Sequence, residues 1–137
     1  MSIDGFFTSG DESGDHDITS DVTINGAGSG TTSITALGFG DRVIEVHAGG
    51  TLTINDLTIE DGSDKNGSGI SNSGTLITNN AVIQNNKAGT GLGGAIWNDG
   101  EATLNSTVLQ FNGGNSGAAV YNLSGGDITL NSLNSSE

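Results

Sequence analysis

The 137-residue chain contains no cysteine and no proline, and its aromatic complement is one tryptophan, one tyrosine and four phenylalanines. Without cysteine there is no disulfide scaffold, no thiolate metal site and no thiol nucleophile. Positive charge is almost as scarce. Three bases, Arg42, Lys65 and Lys87, are scattered along the chain against 16 acidic residues, for a formal net charge of −13. Such a balance repels phosphate backbones and anionic membranes, so no nucleic-acid partner is expected. Apolar runs reach only three or four residues, which predicts no transmembrane segment, and the opening MSIDGFFTSGDESGD lacks the basic and apolar regions of a signal peptide. The hydrophobic share, 32%, is too small for an ordinary two-layer globule of this length.

What fills the chain instead is glycine, serine, threonine and asparagine, 70 residues in all. Their order is periodic. Ile18, Ile44, Ile70, Ile96 and Val120 recur at intervals of 26, 26, 26 and 24, and the position two residues on reads Ser20, Val46, Asn72, Asn98 and Asn122. A second set of segments, VTIN, LTIN, LITN, ATLN and ITLN, ends in Asn25, Asn55, Asn79, Asn105 and Asn131. Within these segments the first and third residues are mostly apolar and the middle one is usually threonine, the period-two alternation of a half-buried strand. Leu57, Ala81, Thr107 and Leu133 follow, then Ile59, Ile83 and Leu109, so each repeat carries three short stretches separated by polar corners.

Short strands recurring every 24 to 26 residues, with no helix-period stretch, predict an all-β fold in which successive turns stack in parallel. The expectation is a parallel β-helix of about five rungs over residues 16–137, right-handed by the general rule for parallel crossovers. Residues 1–15 form an acidic N-terminal segment that would serve as a cap, with Phe6 and Phe7 over the first rung. Asparagine is suited to the corners, where it tolerates left-handed backbone and its amide bonds to the identical amide one rung away. Ladders are therefore expected at Asn25, Asn55, Asn79, Asn105 and Asn131, and at Asn72, Asn98 and Asn122.

The strings DITSDVTINGAGSGTTSI (17–34), GGTLTINDLTIEDGS (49–63), NSGTLITNNAVIQNN (72–86) and GGAIWNDGEATLNSTVLQFNG (93–113) carry a resemblance. They resemble the β-helix repeats of bacterial surface and secreted proteins, with GGAI-[aromatic]-N and TLTN-type motifs. The nearest kinds are CSLREA-type proteins and the passenger repeats of polymorphic outer-membrane proteins and autotransporters. The resemblance covers about residues 15–134. It implies an adhesin-like, non-catalytic role and an extracellular or cell-surface parent protein.

Candidate sites are few. The outward column beside the first apolar column is expected to read Thr19, Glu45, Ser71, Trp97 and Tyr121, which stacks Trp97 on Tyr121. With Asn98 and Asp99 nearby, such a pair would grip a sugar face, although cross-rung packing alone accounts for aromatics there. Twelve of the 16 acids lie within residues 1–64. Asp11, Glu12, Asp15 and Asp17, with His16, would suit a hard cation such as Ca²⁺, which takes six to eight oxygens; a solvated acidic surface explains the same run. Parallel β-helices also host polysaccharide lyases, but clustered carboxylates with basic companions are missing from the pattern, and no enzyme is expected. The file Thr23, Thr53, Ile77, Thr103 and Thr129 is the kind of array an ice-binding solenoid presents, broken by Asp21, Glu101 and Asp127 in the flanking column. Of the N-x-[ST] sequons, Asn105 and Asn122 fall on ladder positions taken as internal, where a glycan would not fit. The reading is a display or structural segment that self-associates through uncapped ends and contacts a glycan or host surface.

Overall fold

The computed structural model describes residues 15–132 in full and, outside them, the backbone of Ser2–Asp4, Phe7–Thr8 and Asn134–Ser136. The chain is a parallel β-helix. Three sheets run the length of the stack, and each holds five parallel strands, so the five expected rungs amount to about four turns. The first sheet is built from His16–Ile18, Ile44–Val46, Ile70–Asn72, Ile96–Asn98 and Val120–Asn122. The second contains Asp21–Asn25, Thr51–Asn55, Thr75–Asn79, Glu101–Asn105 and Asp127–Asn131. The third contains Ser33–Thr35, Thr58–Glu60, Val82–Gln84, Val108–Gln110 and Asn134–Ser136. One strand from each sheet makes a coil, and coils are numbered 1 to 5 from the N-terminus.

The second sheet shows how little apolar material the design needs. Val22 and Ile24, Leu52 and Ile54, Leu76, and Ala102 and Leu104 point inward and are buried, while the residues between them are half-exposed or exposed. Equivalent inward positions on the other sheets are Ile44, Ile70 and Ile96, and Ile59, Ile83 and Leu109. All join one continuous apolar column, to which each coil adds a few side chains. Because the neighbouring coils supply the other walls of each side chain's pocket, no coil buries its own apolar residues alone.

From coil 2 onward left-handed backbone recurs at the described corners, Gly67, Gly93 and Gly117 adopting it ahead of the first-sheet strands. After the second-sheet strand the residues are Asp56, Asn80, Ser106 and Ser132, with φ between 47° and 55°; after the third-sheet strand they are Asp61, Asn85 and Phe111, with φ from 55° to 62°. Asn and Asp accept this conformation more readily than other side chains. Asn25, Asn55, Asn79, Asn105 and Asn131 are not themselves the corner residues, contrary to the sequence reading. They end the strands in the outward phase of the alternation, one residue before the turn, and they are half-exposed or, for Asn131, exposed.

One expected register is wrong. Ile18 pairs with Val46, and His16 sits opposite Ile44, because coil 1 takes 28 residues to bring its first-sheet strand round and the later coils 24 or 26. The outward column of the first sheet therefore begins with Asp17 rather than Thr19 and reads Asp17, Glu45, Ser71, Trp97, Tyr121. At the coil 1 end, Ser2–Asp4 pairs antiparallel with Asp21–Asn25 and Phe7–Thr8 antiparallel with His16–Ile18. Phe6, part of the expected cap, lies outside the described residues.

Candidate functional site

Three kinds of feature stand out on the coil: stacked amides, an aromatic pair and an ionic cluster. The outer amide ladder is unbroken. Nδ2 of Asn55 donates to Oδ1 of Asn25 at 2.7 Å, Asn79 to Asn55 at 2.7 Å, Asn105 to Asn79 at 2.9 Å and Asn131 to Asn105 at 2.8 Å. The inner ladder lies inside the first sheet, where Asn72 and Asn98 are wholly buried; Asn72 donates to Asn98 and Asn98 to Asn122, both at 2.7 Å. A third pair, Asn86 and Asn112, is also buried, with amides 3.1 Å apart, and each reaches a backbone carbonyl, of Ile59 and Ile83 respectively. The sequence reading missed it, although 26-residue spacing was visible in Asn86 and Asn112; the left-handed residues just before them, Asn85 and Phe111, interrupt the alternation that reveals strands. Gln110 donates to Gln84 and Gln84 to Glu60, both at 2.8 Å, as a further outward column.

The sequons on the ladders, expected to be internal, are not. Asn105 is half-exposed and Asn122 exposed, and what occupies both amides is hydrogen bonding within the columns.

Trp97 and Tyr121 do stand opposite each other on adjacent coils, both half-exposed. Asp99 beside them is exposed. Asn98 is not available to a ligand: it points inward, and its Nδ2 lies within hydrogen-bond distance of the Gly100, Asn122 and Asp127 oxygens. The threonine file is in register as expected, Thr23, Thr53, Ile77, Thr103 and Thr129, flanked by Asp21, Thr51, Thr75, Glu101 and Asp127.

The ionic cluster is the feature that the register error concealed. With Asp17 rather than Thr19 opposite Glu45, two carboxylates of adjacent coils share an outward column, and His47, two residues after Glu45, joins them. His47 Nε2 is 2.8 Å from Asp17 Oδ1, and one ligand atom from each of Asp17, Glu45 and His47 falls within 4.8 Å of the others. Arg42 lies alongside. Its Nε and Nη2 donate to Asp64 Oδ2 at 2.9 and 2.5 Å, and its guanidinium is 3.3 Å from Glu45 and 3.6 Å from Asp15. The Asp15 carboxylate is 1% exposed, so Arg42 supplies its counter-charge in a place water barely reaches.

These contacts shift ionisation. The hydrogen bond to Asp17 raises the His47 pKa above its usual value, with burial opposing and the nearby acids assisting. Burial raises the Glu45 carboxyl, against the pull of Arg42 and His47. Burial weakens the charged form of Arg42, but Glu45, Asp64 and Asp15 together outweigh it and its pKa rises. Of the acids expected to hold Ca²⁺, Asp15 faces Arg42 and Asp17 faces His47, while Asp11 and Glu12 lie outside the described residues.

Hollows on the described surface are open and polar; one of about 290 Å³ is lined by Ser29–Ser33, Thr58, Glu60 and Gln84. No helix of the described residues is long and apolar enough to cross a membrane. Comparison with family models, curated proteins and solved structures returned no match.

Proposed function

We propose that this chain is a non-catalytic, adhesin-like structural and display segment of a secreted or surface-exposed bacterial protein. The observation that carries the reading is the amide ladder from Asn25 to Asn131, which links every coil to the next outside the backbone. A continuous column of this kind makes the stack stiff along its axis, and stiffness is what a spacer or display rod requires. Length is acquired by adding coils at about 4.8 Å each, without altering the cross-section. The acidic shell keeps such a rod soluble and clear of anionic surfaces. Pulling the chain from its two ends by force spectroscopy tests the mechanical part. Coil-by-coil unfolding at a force measurably above that of a ladder-broken Asn79→Ala variant is expected; equal forces refute it.

The in-register Trp97 and Tyr121 support a glycan as the displayed contact. On a glycan array, wild type should bind a sugar class that Trp97→Ala no longer binds. Self-association belongs to the same reading, with an asymmetry. Two of the three sheets carry an antiparallel strand at the coil 1 end, whereas at coil 5 Leu130 is 48% exposed and Val120 and Ile128 are only half-buried. Coil 5 also carries little charge, so its end is the one expected to meet a second copy. Light scattering at rising concentration should show association that Leu130→Lys abolishes.

A further inference from the structure

We propose that Asp17, Glu45 and His47 form a binding site for a borderline divalent transition cation such as Zn²⁺, clamping coil 1 to coil 2. Glu45 lies on the strand Ile44–Val46 and His47 directly follows that strand, two residues on, while the third ligand, Asp17, comes from the adjacent coil in register with Glu45. The ladder backbone thus holds all three on one side of a rigid surface. Their ligand atoms already lie within 4.8 Å of one another. A tetrahedral cation with bonds of about 2.0–2.2 Å needs its ligands roughly 3.5 Å apart, a contraction that side-chain rotation supplies. The cation replaces the His47–Asp17 hydrogen bond, and the two carboxylates neutralise its charge.

The donor chemistry selects the metal. One imidazole and two carboxylates suit Zn²⁺ and its first-row neighbours, whereas Ca²⁺ requires six to eight oxygens. Exposure is graded in the right sense: the Asp17 side chain is 8% exposed, Glu45 29% and His47 45%, which leaves an open side for a water as fourth ligand. A second observation points the same way. Like charges placed directly opposite in a sheet are destabilising, yet Asp17 faces Glu45, while the same column continues as Ser71, Trp97 and Tyr121. Within the first-sheet column the acid pair occurs only beside His47, whereas Glu101 and Asp127 of the second sheet, also in register, have no histidine on their coils. Arg42 relieves part of the repulsion from the Glu45 side, but its Nε and Nη2 are committed to Asp64.

The test uses the full chain, stripped with chelator and then titrated with ZnCl₂ by calorimetry. One equivalent should bind, and the imidazole resonances of His47 should shift while those of His16, the other histidine, stay in place. His47→Ala and Asp17→Asn, with folding checked by far-UV circular dichroism, should each weaken binding at least tenfold, and His16→Ala should leave it unchanged. Melting temperature should rise with Zn²⁺ in wild type and not in His47→Ala. Absence of saturable binding, equal affinity for Ca²⁺ and Zn²⁺, or loss on His16→Ala with His47→Ala intact would overturn the assignment. The resonance experiment on unmodified protein decides the matter if a variant does not fold.

Discussion

Asn98 offers the sharpest test of the idea that buried amides hold the coils together. Its Oδ1 accepts from Asn72, and the two protons on its Nδ2 are shared among Asn122 Oδ1, Asp127 O and Gly100 O at 2.7, 3.0 and 3.1 Å. Asn98→Ala removes about three hydrogen bonds at a wholly buried position. At about 1 kcal/mol each, and with carbonyls stranded away from water, the cost is about 3–4 kcal/mol. Asn79→Ala also deletes two ladder bonds, but on the half-exposed outer column, where water takes over; about 1 kcal/mol is expected there. Asn98→Asp sharpens the contrast. It keeps the shape, replaces a donor by an acceptor, and aims a buried carboxylate at three oxygens. Burial then raises its folded-state pKa above the unfolded value of about 4, so the folded form binds the extra proton. Stability of the Asp variant should accordingly fall as pH rises from about 4 through that raised pKa. Urea unfolding followed by far-UV circular dichroism and by the fluorescence of Trp97, the single tryptophan and the neighbour of Asn98, reads all three variants. If Asn98→Ala costs no more than Asn79→Ala, or if the Asp variant is indifferent to pH, the inner ladder is not what joins these coils.

Other outcomes follow from the same geometry. Arg42→Ala should destabilise by about 2–4 kcal/mol by removing the guanidinium that the buried Asp15 shares with Glu45 and Asp64; chemical denaturation at neutral pH checks it, and lowering the pH towards 4 should narrow the gap with wild type. Thr78 and Thr107 share a buried 2.7 Å hydrogen bond, so each single valine variant should cost about 1 kcal/mol or more while the double variant costs less than the sum of the two; a double-mutant cycle measures the coupling. Gly100→Ala should be severe, with a loss of about 2 kcal/mol or more in the same unfolding assay, because a Cβ there would run into the Gly74 backbone of the preceding coil.

Much of the stack is legible in the residues themselves. The second-sheet strands, their outward threonines and the five ladder asparagines are all in the register that their spacing implies, since each repeated segment has the same alternation and nothing intervenes to shift it. Placing Asn25 and its successors inside the corner ignored that same alternation: with Val22 and Ile24 inward, Asn25 must point outward. The first coil misleads because it is long. Aligning Ile18 with Ile44 preserves a 26-residue period, but the chain needs two residues more, and what decides the register is burial, which puts Ile18 beside Val46. The cost of that slip was the whole ionic cluster, because it hid Asp17 opposite Glu45. Arg42 bridging Asp15, Glu45 and Asp64 could not be seen either, since it depends on how three corners with no repeating pattern happen to converge.

The glutamine column carries a consequence for directionality. Glu60 can only accept, so Gln84 must turn its amino group towards coil 2, its carbonyl is left for Gln110, and the orientation of both amides is dictated by one anion at the end of the row. The outer asparagines point the same way, donating towards coil 1, while the buried ones donate towards coil 5. Side-chain dipoles along the axis therefore run in opposing files and partly cancel. Reversal of any one amide would break its bonds to both neighbours, so each file keeps or loses its sense as a unit, and Glu60→Gln would remove the end stop that makes one of them unidirectional.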